Sequence, residues 1–205
     1  MVLLLLVIAL HLWLVWVGAF PGDHWALSQK LTPHPLVIRD YAGFFQVLGD
    51  PGIVIPFLAV ALFLLLRRNM RAEAVGLLIA YCAIVLNEAF KLTLGPSPLW
   101  MAAHQPGHNY PSGLVAFTTA VFGYVAIVAW RHGHRWITGV ALLLVVASGP
   151  ARVVTGIHLV SDVIAGYLLG GAVLLLAVKL TLDRSPKGTR STVAGSEALI
   201  SRSRR

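Results

Sequence analysis

The sequence carries little charge and almost no cysteine. Charged residues make up 12% of its 205 residues, hydrophobic residues make up 58%, and the mean hydropathy is +0.80. This composition is too apolar for a soluble domain and indicates a membrane protein with several spans. Because Cys82 is the only cysteine, no disulfide can form within the chain.

Acidic residues are also few, with eight Asp and Glu in the whole chain. One of them, Asp162, stands near the candidate site described below, and no set of His and Cys residues has the spacing of metal ligands. A metal hydrolase needs several such ligands in one place. The sequence therefore does not favour a metal site, and it predicts no cofactor.

Long apolar runs make up most of the remaining sequence. A transmembrane helix needs about 20 apolar residues, so a chain of this length has room for about six spans. We predict an all-α polytopic membrane protein whose six transmembrane helices form one bundle within residues 1–182, and a short interfacial helix from Leu36 to Leu48. The tail at 183–205 is rich in Ser, Arg and Gly, and we expect it to be disordered. The predicted spans cover residues 1–19, 52–66, 74–94, 111–130, 136–154 and 158–182.

Basic residues give the chain a net charge of +8, and their placement predicts its orientation. They concentrate in the loops after the second and fourth spans and in the tail, which the positive-inside rule assigns to the cytoplasm. Both termini are then cytoplasmic, and the loops at 20–50, 95–110 and 155–157 face the outside. Basic residues placed in this way argue against nucleic acid as a partner. We predict a multi-pass protein of the cell membrane, whose oligomeric state the sequence does not indicate.

Three ionisable residues near the start of the sixth span form the main candidate site. In a helix, His158 and Asp162 lie on one face, so the carboxylate can accept the imidazole Nδ1–H and raise the basicity of the other nitrogen. A bend at Thr155-Gly156 would let the Arg152 guanidinium return toward the imidazole, where it suits a phosphate oxyanion. The pattern favours a nucleophilic or acid–base histidine beside an anion clamp. The alternative is a group of polar residues that snorkel or cap helix ends at the membrane surface.

The predicted topology brings further polar residues to the same outer face. Lys91 ends the third span and Ser112 begins the fourth, at the depth predicted for Arg152. Around Ser112, Asn109 has the character of an N-cap and Pro111 fits a first helical turn. Free N–H groups at a helix start bind phosphate oxygens readily. The cluster should therefore attract a phosphoryl group, whose charge the two cations would neutralise.

Other residues within the spans are predicted to be structural. Asn87 and Glu88 should pair with Lys91 on one face of the third span. Gly166-x3-Gly170 should permit close packing of two helices. Hydrogen bonds between helices are predicted for Thr118, Thr119 and Ser148. Anchoring at the membrane interfaces is predicted for Trp16, Trp100, Trp130 and Trp136.

The site residues resemble a signature of a known family. Arg152-x5-His158-x3-Asp162 is similar in spacing to S-R-x5-H-x3-D of the type-2 phosphatidic acid phosphatase superfamily, with Ala151 in place of the serine. The family's usual membrane form has six spans, which agrees with the segments predicted above. Two further signatures of the family, K-x6-R-P and P-S-G-H, precede this one in the chain.

Those two signatures are incomplete in this sequence. Pro111-Ser112-Gly113 matches three residues of P-S-G-H, but Leu114 stands where the family has histidine. Lys91 opens K-x6-R-P, but the following residues lack its arginine. The resemblance covers about Lys91 to Asp162 in the family's order.

The resemblance implies an integral-membrane lipid phosphatase that works without a metal or cofactor at the outer leaflet. His158 would attack phosphorus and form a phosphohistidine, and Asp162 would orient it. The substrate would be a membrane lipid phosphate such as undecaprenyl diphosphate, phosphatidic acid or phosphatidylglycerol phosphate. The residues expected to hold its phosphate are Lys91, Arg152, Ser112 and the backbone of Gly113.

Leu114 leaves several explanations open, because the family's histidine at that position protonates the leaving oxygen and losing a general acid costs roughly 10²–10⁴-fold in rate. His104 or His108, in the same outer loop, could supply the proton. The substrate could be a diphosphate, whose leaving phosphate needs less protonation. The protein could also be catalytically weak, a non-catalytic lipid-phosphate binder or transporter, or a chain altered at this site. A further alternative is a lipid phosphotransferase that passes the phosphoryl group from His158 to another lipid.

Overall fold

The computed structural model of the chain describes residues 1–30, 32–104 and 110–182. All regular secondary structure within these ranges is helical, which confirms the predicted all-α class. The predicted tail at 183–205 lies outside the described residues. The helices are α1 (Val2–Val17), α2 (Asp23–Gln29), α3 (Leu36–Leu48), α4 (Pro51–Arg67), α5 (Arg71–Leu94), α6 (Pro98–Ala102), α7 (Gly113–Arg131), α8 (Arg135–Val153) and α9 (Val160–Thr181).

Four of these helices, α5, α7, α8 and α9, are long and apolar enough to cross a membrane. Helices α3 and α4 pass the same test only as a pair that is bent by 55° at the Gly49-Asp50 break. Helix α1 is apolar but has 16 residues, and at 1.5 Å per residue it is shorter than a bilayer core of about 30 Å. The chain is therefore a multi-pass membrane protein with four or five clear spans, and the number six stays a prediction.

Helix α7 lies at the centre of the bundle and packs against α5, α8 and α9. Small residues allow its close approach to α9. A Cβ atom on Gly166 would lie 2.8 Å from the carbonyl oxygen of Ser112, and one on Gly170 would lie 2.4 Å from that of Ala116. Because only glycine leaves room for these backbone contacts, the predicted close packing at Gly166-x3-Gly170 is confirmed.

Hydrogen bonds between side chains and neighbouring helices fix the remaining packing. The hydroxyl of Thr118 donates to that of Ser148 over 2.9 Å, as predicted for a contact between α7 and α8. Thr119 has no hydrogen-bond partner for its buried hydroxyl among the described residues, so the prediction for it is wrong. The phenol of Tyr110 donates to the carbonyl of Val7 over 2.7 Å and ties α1 to the start of α7.

The tryptophans differ in their surroundings. Three of them are exposed on the surface of the chain, where the membrane interface can reach them: Trp16, Trp130 and Trp136. Trp100 is 0% exposed, so its prediction as an interface anchor is wrong. It lies in the short helix α6, which folds back onto the start of α9 and brings the indole into the protein interior.

The glycine contact between α7 and α9 gives a matched test of the packing. Gly170→Ala is expected to lower the melting temperature of the detergent-purified protein, because the backbone must move to admit the methyl group, at a cost of about 1–3 kcal/mol. Gly139→Ala in α8 is the control, since nothing lies within 4 Å of an added Cβ there. It should hold or raise stability, because alanine is the better helix former. Equal losses in both variants would contradict the packing described here.

Candidate active site

The turn between α8 and α9 carries the predicted histidine. The carbonyl of Arg152 accepts the main-chain N–H groups of Ile157 and His158 over 3.2 and 3.1 Å. Gly156 has φ +63°, and a Cβ there would lie 2.3 Å from the backbone nitrogen of Lys30. The predicted bend at Thr155-Gly156 is therefore confirmed, and both the positive φ and the close approach require glycine.

Helix α9 begins at Val160, so the predicted helical start at His158 is wrong. His158 lies in the turn before the helix. Its imidazole nevertheless faces the carboxylate one turn further on, with 3.4 Å between Nδ1 and Oδ2 of Asp162. That distance is longer than a normal hydrogen bond.

Asp162 is fully buried, and its carboxylate is held by two short hydrogen bonds. Oδ2 accepts the main-chain N–H of Leu159 and the indole N–H of Trp100, each over 2.9 Å. The first bond closes the start of α9, where an acidic side chain is stabilised by free N–H groups. The second fixes the direction in which the carboxylate faces His158.

His158 is 6% exposed, and this burial determines its protonation. Burial lowers the pKa of the imidazole below its ordinary value of 6.5. The nearby carboxylate of Asp162 opposes this shift, and the positive charges of Arg152 and Lys91 add to it. The imidazole is therefore neutral at pH 7, the form in which a ring nitrogen can attack an electrophile.

Arg152 lies in the last turn of α8 and is 9% exposed. Its Nη1 donates to Oε1 of Gln46 over 2.8 Å, and its Nε has no partner among the described residues. A buried guanidinium with an unused donor is prepared to bind an oxyanion. Gln46 could not be singled out from the sequence, since it belongs to the predicted interfacial helix.

Lys91 lies near the end of α5 with its side chain 20% exposed. Its ammonium pairs with Oε1 of Glu88 over 2.8 Å, and the same oxygen accepts the side-chain amide of Asn87 over 3.3 Å. The predicted pairing is confirmed for Glu88, while Asn87 reaches the lysine through that carboxylate. A Cβ on Gly113 would lie 2.8 Å from Nδ2 of Asn87 and 3.7 Å from Nζ of Lys91, so α5 and the start of α7 approach closely here.

Ser112 joins the start of α7 to α9. Its main-chain N–H donates to the carbonyl of Asp162 over 3.0 Å, and its buried hydroxyl has no partner among the described residues. Helix α7 begins at Gly113 with Ser112 as its N-cap. Pro111 therefore lies before the helix and not in its first turn, where it was predicted. Asn109, the predicted N-cap, lies outside the described residues.

A cavity of about 400 Å³ opens beside these residues. Its polar wall includes Lys91, Arg152 and the backbone at Gly113, and its apolar wall comes from α3, α4, α5 and α7. Such a shape suits a ligand with an anionic end and a hydrocarbon part. His158 is not among the described residues that line the cavity. It adjoins the cavity through Arg152, a lining residue whose carbonyl accepts the main-chain N–H of His158.

Leu114 also lines this cavity, where the family has a histidine. Its side chain packs on the break between α3 and α4, since a Cβ on Gly49 would lie 2.6 Å from Cδ1 of Leu114.

Two histidines were suggested as substitutes for the missing acid. His104 follows α6 with φ +52°, and its side chain is exposed. It is not among the described residues that line the cavity. His108 lies outside the described residues. No three His, Cys, Asp or Glu side chains within 1–30, 32–104 and 110–182 are grouped as a metal site would require.

Asp23 is a second buried carboxylate that the sequence reasoning missed. It is 0% exposed, and its two oxygens accept the main-chain N–H and the hydroxyl of Ser161 over 2.9 and 2.8 Å. Oδ2 also accepts the N–H of Phe20 over 2.9 Å. An Asp after Pro-Gly looks like a surface turn in sequence, and nothing local indicates a partner 138 residues away.

Comparisons with known proteins agree with this geometry. The family model described as PAP2 superfamily matches residues 87–186, which include every predicted phosphate-binding and catalytic residue. An undecaprenyl-diphosphatase of Sulfolobus acidocaldarius is 27% identical over 190 residues, covering 87% of this chain and 89% of the relative.

The fold has a match among solved structures as well. A transmembrane PAP2-type phosphatidylglycerolphosphate phosphatase from Bacillus subtilis superposes with a TM-score of 0.71 at 20% identity, covering 91% of this chain and 97% of that chain. The order of signatures, the family match over the site and the relative aligned along most of both chains agree with one another. Over residues 87–186, which carry the whole candidate site, this chain is similar to the PAP2 superfamily.

Proposed function

We propose that the protein is an integral-membrane lipid phosphatase that acts through a phosphohistidine at His158. The observation that carries the proposal is the meeting of a buried neutral imidazole and a carboxylate with two cations and a helix start, all at one end of an apolar bundle. Anion binding, a nucleophile and a route from the bilayer are thereby combined in one place. The activities of the two related proteins support a phosphatase.

In the proposed reaction, the ring nitrogen of His158 that faces away from Asp162 attacks phosphorus. The bond from phosphorus to the leaving oxygen breaks, and the imidazole becomes positively charged, which Asp162 stabilises. Lys91, Arg152, the hydroxyl of Ser112 and the main-chain N–H of Gly113 bind the phosphoryl oxygens as their charge grows. Water then attacks the phosphohistidine and releases inorganic phosphate. No metal or cofactor takes part.

The substrate we propose is a lipid that enters the cavity sideways from the membrane. The apolar wall between α3, α4 and α5 would hold its hydrocarbon part, and Lys91 and Arg152 would hold its phosphate. The names of the relatives suggest undecaprenyl diphosphate and phosphatidylglycerol phosphate as the first candidates to test. Transfer of the phosphoryl group to a second lipid in place of water would make the same site a phosphotransferase.

Leu114 narrows the proposed substrate to a lipid diphosphate. Among the described residues of the cavity wall, the ionisable side chains are Glu88, Lys91 and Arg152. The two cations bind phosphate, and Glu88 is paired with Lys91, so none of them is a neutral acid ready to protonate an alkoxide. A lipid monophosphate leaving from a diphosphate needs no such proton. The same leucine is the observation that favours the second candidate, a non-catalytic lipid-phosphate binder.

We place the site at the outer face of the cell membrane, with six spans and both termini in the cytoplasm. Arg68, Arg71, Arg131 and Arg135 lie at the helix ends opposite the site, and the positive-inside rule assigns that side to the cytoplasm. A short-chain lipid phosphate that cannot cross membranes should be hydrolysed when it is added to the outside of sealed right-side-out vesicles. Release only after permeabilisation would reverse the orientation.

The function is tested by phosphate release from a panel of lipid phosphates and diphosphates, with the wild type beside His158→Ala. We expect release by the wild type and at least ~10³-fold less by the variant, because the nucleophile is lost. His134→Ala, at the opposite end of the bundle, is the matched control and should keep wild-type activity. Binding of lipid phosphate without release above the His158→Ala background would favour the non-catalytic binder.

The role of Leu114 is tested by Leu114→His on two substrates with the same lipid chain, a monophosphate and a diphosphate. The wild type should turn over the diphosphate faster. The histidine should raise monophosphate hydrolysis by roughly 10²-fold or more, the usual effect of a general acid, and change diphosphate hydrolysis little. Leu114→Met keeps the volume without an acid and is the control. An equal effect on both substrates would contradict the leaving-group argument.

A further inference from the structure

Two short helices outside the main bundle, α2 and α6, cover the turn that carries His158. Helix α2 packs against α9, and its end lies against the turn, where Gly156 approaches the backbone of Lys30. The Lys30 ammonium lies 5.3 Å from the centre of the Trp100 ring, a cation–π contact that joins α2 to α6. We call α2 and α6 together the outer clamp.

The outer clamp contacts the start of α9 at two successive residues. From α2, Asp23 accepts both the N–H and the hydroxyl of Ser161. From α6, Trp100 donates its indole N–H to Asp162 over 2.9 Å. All four side chains are 0% exposed, so these hydrogen bonds are shielded from water and strong. Membrane spanning alone does not require such contacts, because α9 could cross a bilayer without them.

The bond from Trp100 bears directly on the carboxylate that faces the histidine. Oδ2 of Asp162 is the oxygen that lies 3.4 Å from Nδ1 of His158, and it is also the oxygen that accepts the indole N–H. Oδ1 has no partner among the described residues. Without the indole, the main-chain N–H of Leu159 would be the one hydrogen bond left to this carboxylate among the described residues, so its alignment with the imidazole would be less well fixed.

We propose that Trp100 is a positioning residue, which acts on the reaction through Asp162 by fixing the carboxylate against His158. The proposal rests on the proposed function, because it concerns the rate at which His158 transfers a phosphoryl group. Trp100 is not among the described residues that line the cavity. Its substitution should therefore lower kcat and leave KM for the lipid nearly unchanged, since Lys91 and Arg152 still bind the phosphate.

The experiment is a double-mutant cycle of Trp100→Phe and Asp162→Asn, read by release of radiolabelled phosphate. Trp100→Phe removes the indole N–H and keeps an aromatic ring. In the otherwise wild-type protein, Trp100→Phe should lower kcat about tenfold and change KM by no more than about twofold. When Asp162→Asn is already present, adding Trp100→Phe should lower kcat by less than about twofold. Trp130→Phe is the matched control on an exposed tryptophan and should leave kcat unchanged.

The pH profile gives a second readout. Among the described residues, the charged groups that act on the pKa of His158 are Asp162 from α9, Arg152 from α8 and Lys91 from α5. A carboxylate that is less well aligned supports the protonated imidazole less, so the pKa of His158 falls further. The acid limb of kcat/KM should therefore move to lower pH in Trp100→Phe and stay in place in Trp130→Phe.

Two results would overturn the proposal while leaving the phosphatase intact. One is an equal loss of kcat in the presence and absence of Asp162→Asn, which is what a purely structural role produces. The other is wild-type kcat and pH profile in Trp100→Phe. If Trp100→Phe does not fold by thermal melting, Trp100→Met, which also lacks the N–H donor, takes its place in the same cycle. Failure of the proposed function itself differs from both, since the wild type would then release no more phosphate than His158→Ala.

Discussion

The buried carboxylate of Asp162 is the contact on which the rest of the site depends. One oxygen closes the first turn of α9, accepts the indole of Trp100 and faces the imidazole of His158. The main-chain carbonyl of the same residue accepts the N–H of Ser112 at the start of α7. A single residue thus joins the histidine turn, the predicted phosphate-binding helix start and the outer clamp.

The apolar bundle gives that contact its strength. Glycines on α9 let it approach the backbone of α7, and α7 in turn contacts α5 and α8, so four helix ends meet at one depth. In this low-dielectric setting, buried hydrogen bonds and ion pairs are stronger than in water, and an unpaired charge is costly. Among the described residues, the buried hydroxyl of Ser112 and Nε of Arg152 have no hydrogen-bond partner, and both can donate to acceptor oxygens of a ligand.

Much of this could be predicted from the sequence, because its signals are local or periodic. Apolar length predicts helices, and the four-residue spacing places His158 on the side of Asp162. The order of the spans brings Lys91 and Ser112 to the same face. The contacts with Trp100, Asp23 and Gln46 could not be predicted in this way. Each depends on how short helices fold back between distant segments, and a tryptophan near a predicted membrane end has the same local pattern whether it faces lipid or a buried carboxylate.

The central claim is that His158 carries the phosphoryl group, and trapping that intermediate tests it most directly. The purified protein should be incubated briefly with a lipid diphosphate labelled with ³²P in its terminal phosphate, denatured in alkali and digested. The account predicts label that survives alkali, is lost in acid and maps to the peptide containing His158. Label on another residue, or rapid phosphate release with no labelled protein under conditions that trap a phosphohistidine, would contradict it.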